Sequence, residues 1–103
     1  MKFFLNTANL DLIKKARELE LLDGVITNPK SMLAEGVSNK EKLIAHCKSI
    51  CKIATGCDIC VDVFSTDFDR MVRQAKFLSA ISGQIVLNIP ITSDGIRAIR
   101  FLN

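Results

Sequence analysis

The segment QIVLNIPIT, residues 84–92, decides the fold because it contains a complete transition from strand to helix. Residues 84–89, which are apolar or β-branched except for Gln84 and Asn88, predict a buried strand. Pro90 ends that strand because proline donates no ladder hydrogen bond. Thr92 then predicts a helix N-cap, followed by Ile96 and Ile99 at helical spacing. This segment therefore predicts a strand followed directly by a helix.

The same order occurs three more times earlier in the chain. Further strands are predicted at three ranges: 3–7, 25–27 and 59–64. A helical pattern follows each of them, and a short helical turn at 31–35 precedes the second long helix. Four such units, with strands apolar on both faces, predict an α/β fold in which helices cover a parallel sheet. At 103 residues the chain is expected to form a single domain, 1–103, that ends in the fourth helix.

Polar residues predict where the helices begin. Asn9 is placed to cap the first helix. Ser38 with Glu41 predicts a capping box for the second long helix, and Thr66 with Asp69 is typical of the start of the third.

Composition and charge exclude several classes of protein. Hydrophobic residues make up 49% of the chain, which indicates a packed core. The net charge is +3 and the basic residues are scattered, so nucleic acid is not an expected partner. No apolar stretch approaches the roughly 18 residues of a membrane span, and the apolar start is too short for a signal-peptide core. We therefore expect no membrane association and a cytoplasmic location.

Cysteine and histidine offer no convincing metal site. Cys47 and Cys51 fall on the apolar face of a predicted helix, and Cys57 and Cys60 point to opposite faces of a strand. Core packing as free thiols is favoured over a zinc site, because cysteine is among the most buried residue types. His46 has no acid or thiol at a catalytic spacing, which favours a surface or boundary position. We predict no metal and no cofactor.

Polar residues are concentrated where the predicted strands end. In βα folds the functional groups lie at these carboxyl ends and in the loops that follow. A buried polar group there must be hydrogen-bonded, so the residues either form a polar plug or line a site. We predict that five of them converge at one mouth of the sheet and bond to one another: Asn6, Thr27, Asn28, Asp62 and Asn88.

Four segments of the chain resemble the small transaldolases and the related fructose-6-phosphate aldolases: FFLNTAN (3–9), LDGVITNP (22–29), VFSTD (63–67) and IVLNIPIT (85–92). The resemblance runs in order from residue 1 to 103. It implies the first four βα units of a TIM (β/α)8 barrel, a half-barrel of parallel strands with outer helices. It also implies a class I aldolase or transaldolase of sugar-phosphate metabolism, with a Schiff-base mechanism, no metal and a dihydroxyacetone-type or sugar-phosphate substrate.

Both charged catalytic positions of that family carry amides in this chain. The resemblance places Asn88 at the Schiff-base lysine position and Asn6 at the catalytic aspartate position. An amide nitrogen has its lone pair delocalised into the carbonyl, so Asn88 cannot form an imine, and Asn6 cannot carry protons as a carboxylate does. Lys30 is the one basic side chain at a strand's carboxyl end, and a solvated loop lysine is favoured there over a relocated nucleophile.

The resemblance assigns substrate binding to four residues: Thr27, Asn28, Asp62 and Ser65. Asp62 stands where the family has glutamine or glutamate. The family's chains are roughly twice as long, in keeping with eight βα units. The chain is therefore expected to be catalytically impaired or inactive as it stands.

A non-catalytic alternative follows from the sheet edges. Four strands leave the first and the fourth unpaired on one side, and exposed edges promote association. The alternative is a half-barrel that acts only by self-assembly or binding, or a truncated fragment of a longer aldolase. Either way, a homo-oligomer formed through the sheet edges is expected.

Overall fold

The computed structural model describes residues 1–103 and contains four strands and five helices. The strands are β1 (Phe4–Asn6), β2 (Gly24–Ile26), β3 (Asp58–Asp62) and β4 (Ile85–Asn88). The helices are α1 (Leu10–Glu18), α2 (Pro29–Ala34), α3 (Lys40–Ile53), α4 (Phe68–Ser79) and α5 (Ser93–Leu102). None of these helices has the length and apolar character required to cross a membrane. The α/β prediction is confirmed, including the short helical segment before α3.

The four strands form one parallel sheet in chain order, β1-β2-β3-β4. Connections between neighbouring parallel strands are almost always right-handed. Because each strand here is added on the same side of the one before it, the connecting helices all lie on one side of the sheet. β1 and β4 are the two edges. The arrangement leaves the other side of the sheet without helices.

Burial alternates along the strands as this arrangement requires. Val25, Ile59 and Val61 point toward the helices and are almost completely buried. Their neighbours on the opposite face are not, since Ile26 is 37% exposed and Val86 is 42% exposed. We call this second side the open face, and its residues are Phe4, Asn6, Gly24, Ile26, Asp58, Cys60, Asp62, Val86 and Asn88. Apolar residues on both strand faces therefore do not mean that helices cover both.

The core lies between the sheet and the helices. Its largest fully buried side chains include Ile13, Ile50 and Leu78, from three different helices. All four cysteines are free, and the predicted core packing is confirmed for the three that are buried, Cys47, Cys51 and Cys57. Cys60 differs because β3 alternation turns it to the open face, where it is half-buried.

Two of the predicted helix caps are displaced by one residue. Asn39, rather than Ser38 with Glu41, caps α3 by accepting a hydrogen bond from the Lys42 amide at 2.8 Å. Asp67, rather than Thr66, caps α4 through the Arg70 amide at 2.9 Å. In both cases an Asn or Asp lies next to the predicted hydroxyl residue, and these side chains are at least as good as Ser and Thr at N-caps.

The other two predicted caps are confirmed. Asn9 accepts a hydrogen bond from the Leu12 amide at 3.0 Å, and Thr92 accepts one from the Gly95 amide at 3.0 Å. Each cap comes within four residues of the preceding strand's end. The loops at the carboxyl ends of β1 and β4 are therefore short and firmly placed.

Candidate functional site

Three of the predicted site residues lie on the open face at the carboxyl ends of their strands: Asn6, Asp62 and Asn88. Asp62 and Asn88 are directly opposite each other in register, and Asn88 Nδ2 donates a hydrogen bond to Asp62 Oδ1 at 3.1 Å. Asn6 lies on β1, two strands away from β3. Because neighbouring strands are about 4.8 Å apart, that gap is about 10 Å and Asn6 cannot join the pair.

Thr27 and Asn28 use their side-chain polar atoms to bond to backbone groups, Thr27 on the neighbouring strand β3 and Asn28 in the turn after β2. Thr27 is 1% exposed and its hydroxyl donates to the Cys60 carbonyl oxygen at 2.9 Å. Asn28 caps α2 because its side-chain Oδ1 accepts a hydrogen bond from the Ser31 backbone amide at 2.8 Å. The Asn28 backbone amide donates in turn to Ser31 Oγ at 3.0 Å. The prediction of one hydrogen-bonded network among the five polar residues is therefore wrong. Only Asp62 and Asn88 bond to each other through their side chains, since Thr27 and Asn28 bond to backbone groups instead.

Ser65 is held by a residue that the sequence analysis did not identify. Its hydroxyl donates to Gln74 Oε1 at 2.9 Å, and the Phe64 amide donates to the same oxygen at 3.2 Å. Gln74 is only 7% exposed, and it belongs to the stripe of α4 residues that faces the sheet. The sequence does contain a signal for Gln74, because it lies three residues after Met71 and four before Leu78, on the helix face where an apolar residue is expected.

A cavity of about 1050 Å³ adjoins these strand ends. All four residues predicted to bind substrate line it: Thr27, Asn28, Asp62 and Ser65. Residues of α2, α3 and α4 form the rest of the wall, and we call this cavity the cleft. Asn6 and Asn88 are not among its lining residues. The structure thus brings the predicted substrate residues together but leaves the two amides at the catalytic positions outside the cleft.

Cations dominate the charged residues of the cleft. Lys40, Arg70, Arg73 and Lys76 line it, whereas Asp62 is its only carboxylate. Arg70 has a partner, Asp67, at 3.5 Å. Arg73 makes no salt bridge, and the Lys40 ammonium lies 4.6 Å from the centre of the Phe77 ring. The cleft therefore favours an anionic ligand.

The remaining candidate groups lie outside the cleft. Lys30 is exposed on α2 and does not line it, as expected for a solvated lysine. His46 is half-buried, with Nε2 donating to the Ala8 carbonyl oxygen at 2.6 Å, which confirms the boundary position.

The thiols have the electrostatics of structural cysteines. Burial, together with Cys51, raises the pKa of Cys47 to about 12. Burial and the nearby carboxylates of Asp58 and Asp62 raise the pKa of Cys60 on the open face. A thiol with a raised pKa is a poor nucleophile near neutral pH, because the thiolate is the reactive form.

Comparison with known proteins agrees with the α/β fold described above. A family model described as Transaldolase/Fructose-6-phosphate aldolase matches residues 3–103. Proteins named probable transaldolase from Porphyromonas gingivalis and Syntrophobacter fumaroxidans are 44% and 45% identical over 103 residues, all of this chain and 46% of theirs. One from Bacteroides fragilis is 46% identical over 100 residues, 97% of this chain and 45% of its own. The chain spans about half the length of these relatives and corresponds to their amino-terminal half, the first four βα units of a TIM barrel.

Proposed function

Because the chain belongs to the transaldolase and fructose-6-phosphate aldolase family, we propose that it is a protein of sugar-phosphate metabolism that does not perform imine chemistry in its present form. One observation supports this most directly. The side chain at position 88, which the resemblance assigns to the Schiff-base lysine, is an amide that donates a hydrogen bond to Asp62 at 3.1 Å.

The missing chemistry follows from the nitrogen at that position. In a Schiff-base mechanism an amine lone pair attacks a ketone carbon, a C–N bond forms, and the ketone oxygen leaves as water with both amine protons. The Asn88 nitrogen cannot supply that pair. Lys30, the lysine that follows β2, is exposed and does not line the cleft, so it is not placed to act as a relocated nucleophile there. Loss of an essential nucleophile commonly lowers the rate by about a millionfold.

Substrate contact is proposed at the strand end of the cleft, where Asp62 and Ser65 present polar atoms. Thr27 and Asn28 act by shaping the wall, because their side chains already bond to Cys60 and Ser31. A dihydroxyacetone-type molecule or a sugar phosphate has the hydroxyl groups that a carboxylate and a serine would bind.

Borohydride trapping tests this proposal. The chain is incubated with dihydroxyacetone or fructose 6-phosphate, reduced, and weighed by intact mass spectrometry, with Asn88→Lys/Asn6→Asp as the matched variant. We expect no adduct on the original chain, and weak trapping without efficient aldol cleavage by the variant. A stoichiometric adduct on the original chain, above all one mapped to Lys30, would contradict the proposal. Efficient aldol cleavage by the variant would show that a lysine at position 88 and an aspartate at position 6 are enough for activity in a chain of this length, contrary to our expectation.

Self-assembly is a second candidate function, and the unpaired edges of β1 and β4 favour it. Val86 on β4 and Phe4 on β1 are both at least 40% exposed on the open face. Two copies that pair β4 of one with β1 of the other would supply eight parallel strands and cover both open faces. Such a dimer would be a closed, two-fold assembly.

Light scattering after size exclusion tests the assembly. Val86→Lys places a charge on the open face of an edge strand, and Leu12→Lys on α1, where Leu12 is 51% exposed, is the matched control. We expect a dimer or larger species for the original chain and for Leu12→Lys, and a monomer for Val86→Lys. A monomeric original chain at all concentrations would exclude self-assembly.

A further inference from the structure

We propose that the helical side of the cleft is a docking groove for an acidic amphipathic helix of a partner protein. This part of the cleft lies between α2–α3 and α4, beyond the strand ends. Its apolar lining residues are Met32, Leu33, Val37, Leu43, Phe64 and Phe77. Leu33 and Phe64 stay 63% and 55% exposed, so the groove presents apolar surface that the chain itself does not cover. The inference concerns binding and is independent of imine chemistry.

The helical side of the cleft has a larger apolar wall than a small metabolite bound at the strand end would cover. An α-helix about 10 Å across has a cross-section of about 80 Å², so the whole cleft of about 1050 Å³ would hold at most about 13 Å of helix, or about nine residues. That length presents two to three turns, with apolar side chains at i, i+3, i+4 and i+7. Helix-in-groove recognition uses this spacing. A sugar phosphate would leave most of the apolar wall in water.

The charge of the cleft selects an acidic helix. Four cations and one carboxylate line the cleft, and that carboxylate, Asp62, accepts a hydrogen bond from Asn88 at the strand end. Arg73 has no acidic partner, and Lys40 is engaged only with the Phe77 ring. The exposed faces of α1 and α5 of a second copy are poor occupants, because Lys14, Lys15, Arg97 and Arg100 accompany their apolar residues. A partner helix with Glu or Asp beside its apolar stripe complements the groove.

The groove is formed entirely by interior units of the chain. It lies between the helices that follow β2 and β3, and neither strand is at a sheet edge. Covering the β1 and β4 edges would therefore leave its walls unchanged. This separates the groove from the assembly surface described above.

Fluorescence polarisation with a designed peptide tests the proposal. The probe is a labelled peptide of about 18 residues, with Leu at helical spacing and Glu elsewhere. A scrambled peptide of the same composition and a peptide with Lys in place of Glu are controls. We expect saturable binding of the acidic amphipathic peptide alone, with an affinity that falls as salt rises.

Paired variants locate the binding. Arg73→Glu is compared with Arg100→Glu, and Leu33→Ser with Leu19→Ser, whose leucine is 68% exposed outside the cleft. All four side chains are exposed, so the fold is retained, and circular dichroism checks this. We expect the Kd to rise at least tenfold for the two cleft variants and to change little for their controls. Equal losses across each pair, no saturable binding, or binding of sodium laurate with no peptide binding would overturn the proposal.

Discussion

Replacing Gln74 by leucine should destabilise the loop that carries Ser65, while the rest of the fold keeps its stability. Gln74 Oε1 accepts two hydrogen bonds, from the Phe64 amide at 3.2 Å and the Ser65 hydroxyl at 2.9 Å. Each such bond contributes about 1 kcal/mol, and leucine also leaves the Phe64 N–H without its partner. The expected cost is about 2 kcal/mol. If it is confined to this loop, the Phe64 amide should exchange about 30-fold faster, since 1.4 kcal/mol is a factor of ten.

Gln84→Leu is the matched control for this measurement. Gln84 Nε2 donates to the Ala54 and Cys57 carbonyl oxygens at 2.8 and 3.1 Å, so the same substitution removes these two bonds, and a longer one of 3.4 Å from the Ser82 hydroxyl to Gln84 Oε1, at the opposite end of the sheet. Urea denaturation gives the free energy of unfolding of each variant, and amide exchange by NMR gives the local effect. If exchange at Phe64 increases equally in both variants, Gln74 supports the whole fold and does not position Ser65.

Three further outcomes follow from particular side chains. The pKa of Cys47 is raised to about 12 in the folded chain, so the unfolded chain loses the thiol proton first as the pH rises. The free energy of unfolding should therefore fall by about 1.4 kcal/mol per pH unit from pH ~9 up to about pH 12. Urea denaturation should show a smaller slope for Cys47→Ala. Gly95→Ala should destabilise by about 1–3 kcal/mol, because a Cβ there meets the Pro90 carbonyl oxygen, whereas Gly83→Ala, with open space around it, should be nearly neutral by the same assay. Cys60 should be the first thiol alkylated by iodoacetamide, yet more slowly than an unperturbed thiol, as peptide mass mapping would reveal.

The fold was predictable because each strand and helix has its own local signal. The short apolar runs of the strands, Pro90 and the caps Asn9 and Thr92 all act over a few residues, and the structure agrees with each of them. The displaced caps show the limit of such signals. Asn39 and Asp67 each compete with a neighbouring hydroxyl residue, and only the exact path of the loop decides which side chain reaches the free amides.

The site was less predictable because proximity along the sheet edge does not fix hydrogen bonding. The strand ends were correctly placed, and register pairs Asp62 with Asn88. Thr27 instead donates to the Cys60 carbonyl oxygen on β3, and Asn28 accepts from the Ser31 amide of its own turn, and a residue pattern does not display either demand. Gln74 was missed for a related reason, since its partner is the Phe64 amide in a loop whose shape depends on tertiary packing.

The open face connects the two proposed functions. On this face Asn6, Asp62 and Asn88 lie at the carboxyl ends of their strands, and Phe4 and Val86 lie nearer the amino ends of theirs. Pairing of the sheet edges would enclose this face as a barrel interior, which side chains must fill. The carboxylate of Asp62 would then lose water, and the Asn88 amide would become its compensating donor. A lysine at position 88 would satisfy that carboxylate as an ion pair, so the amide gives up the nucleophile while keeping a donor for the same oxygen.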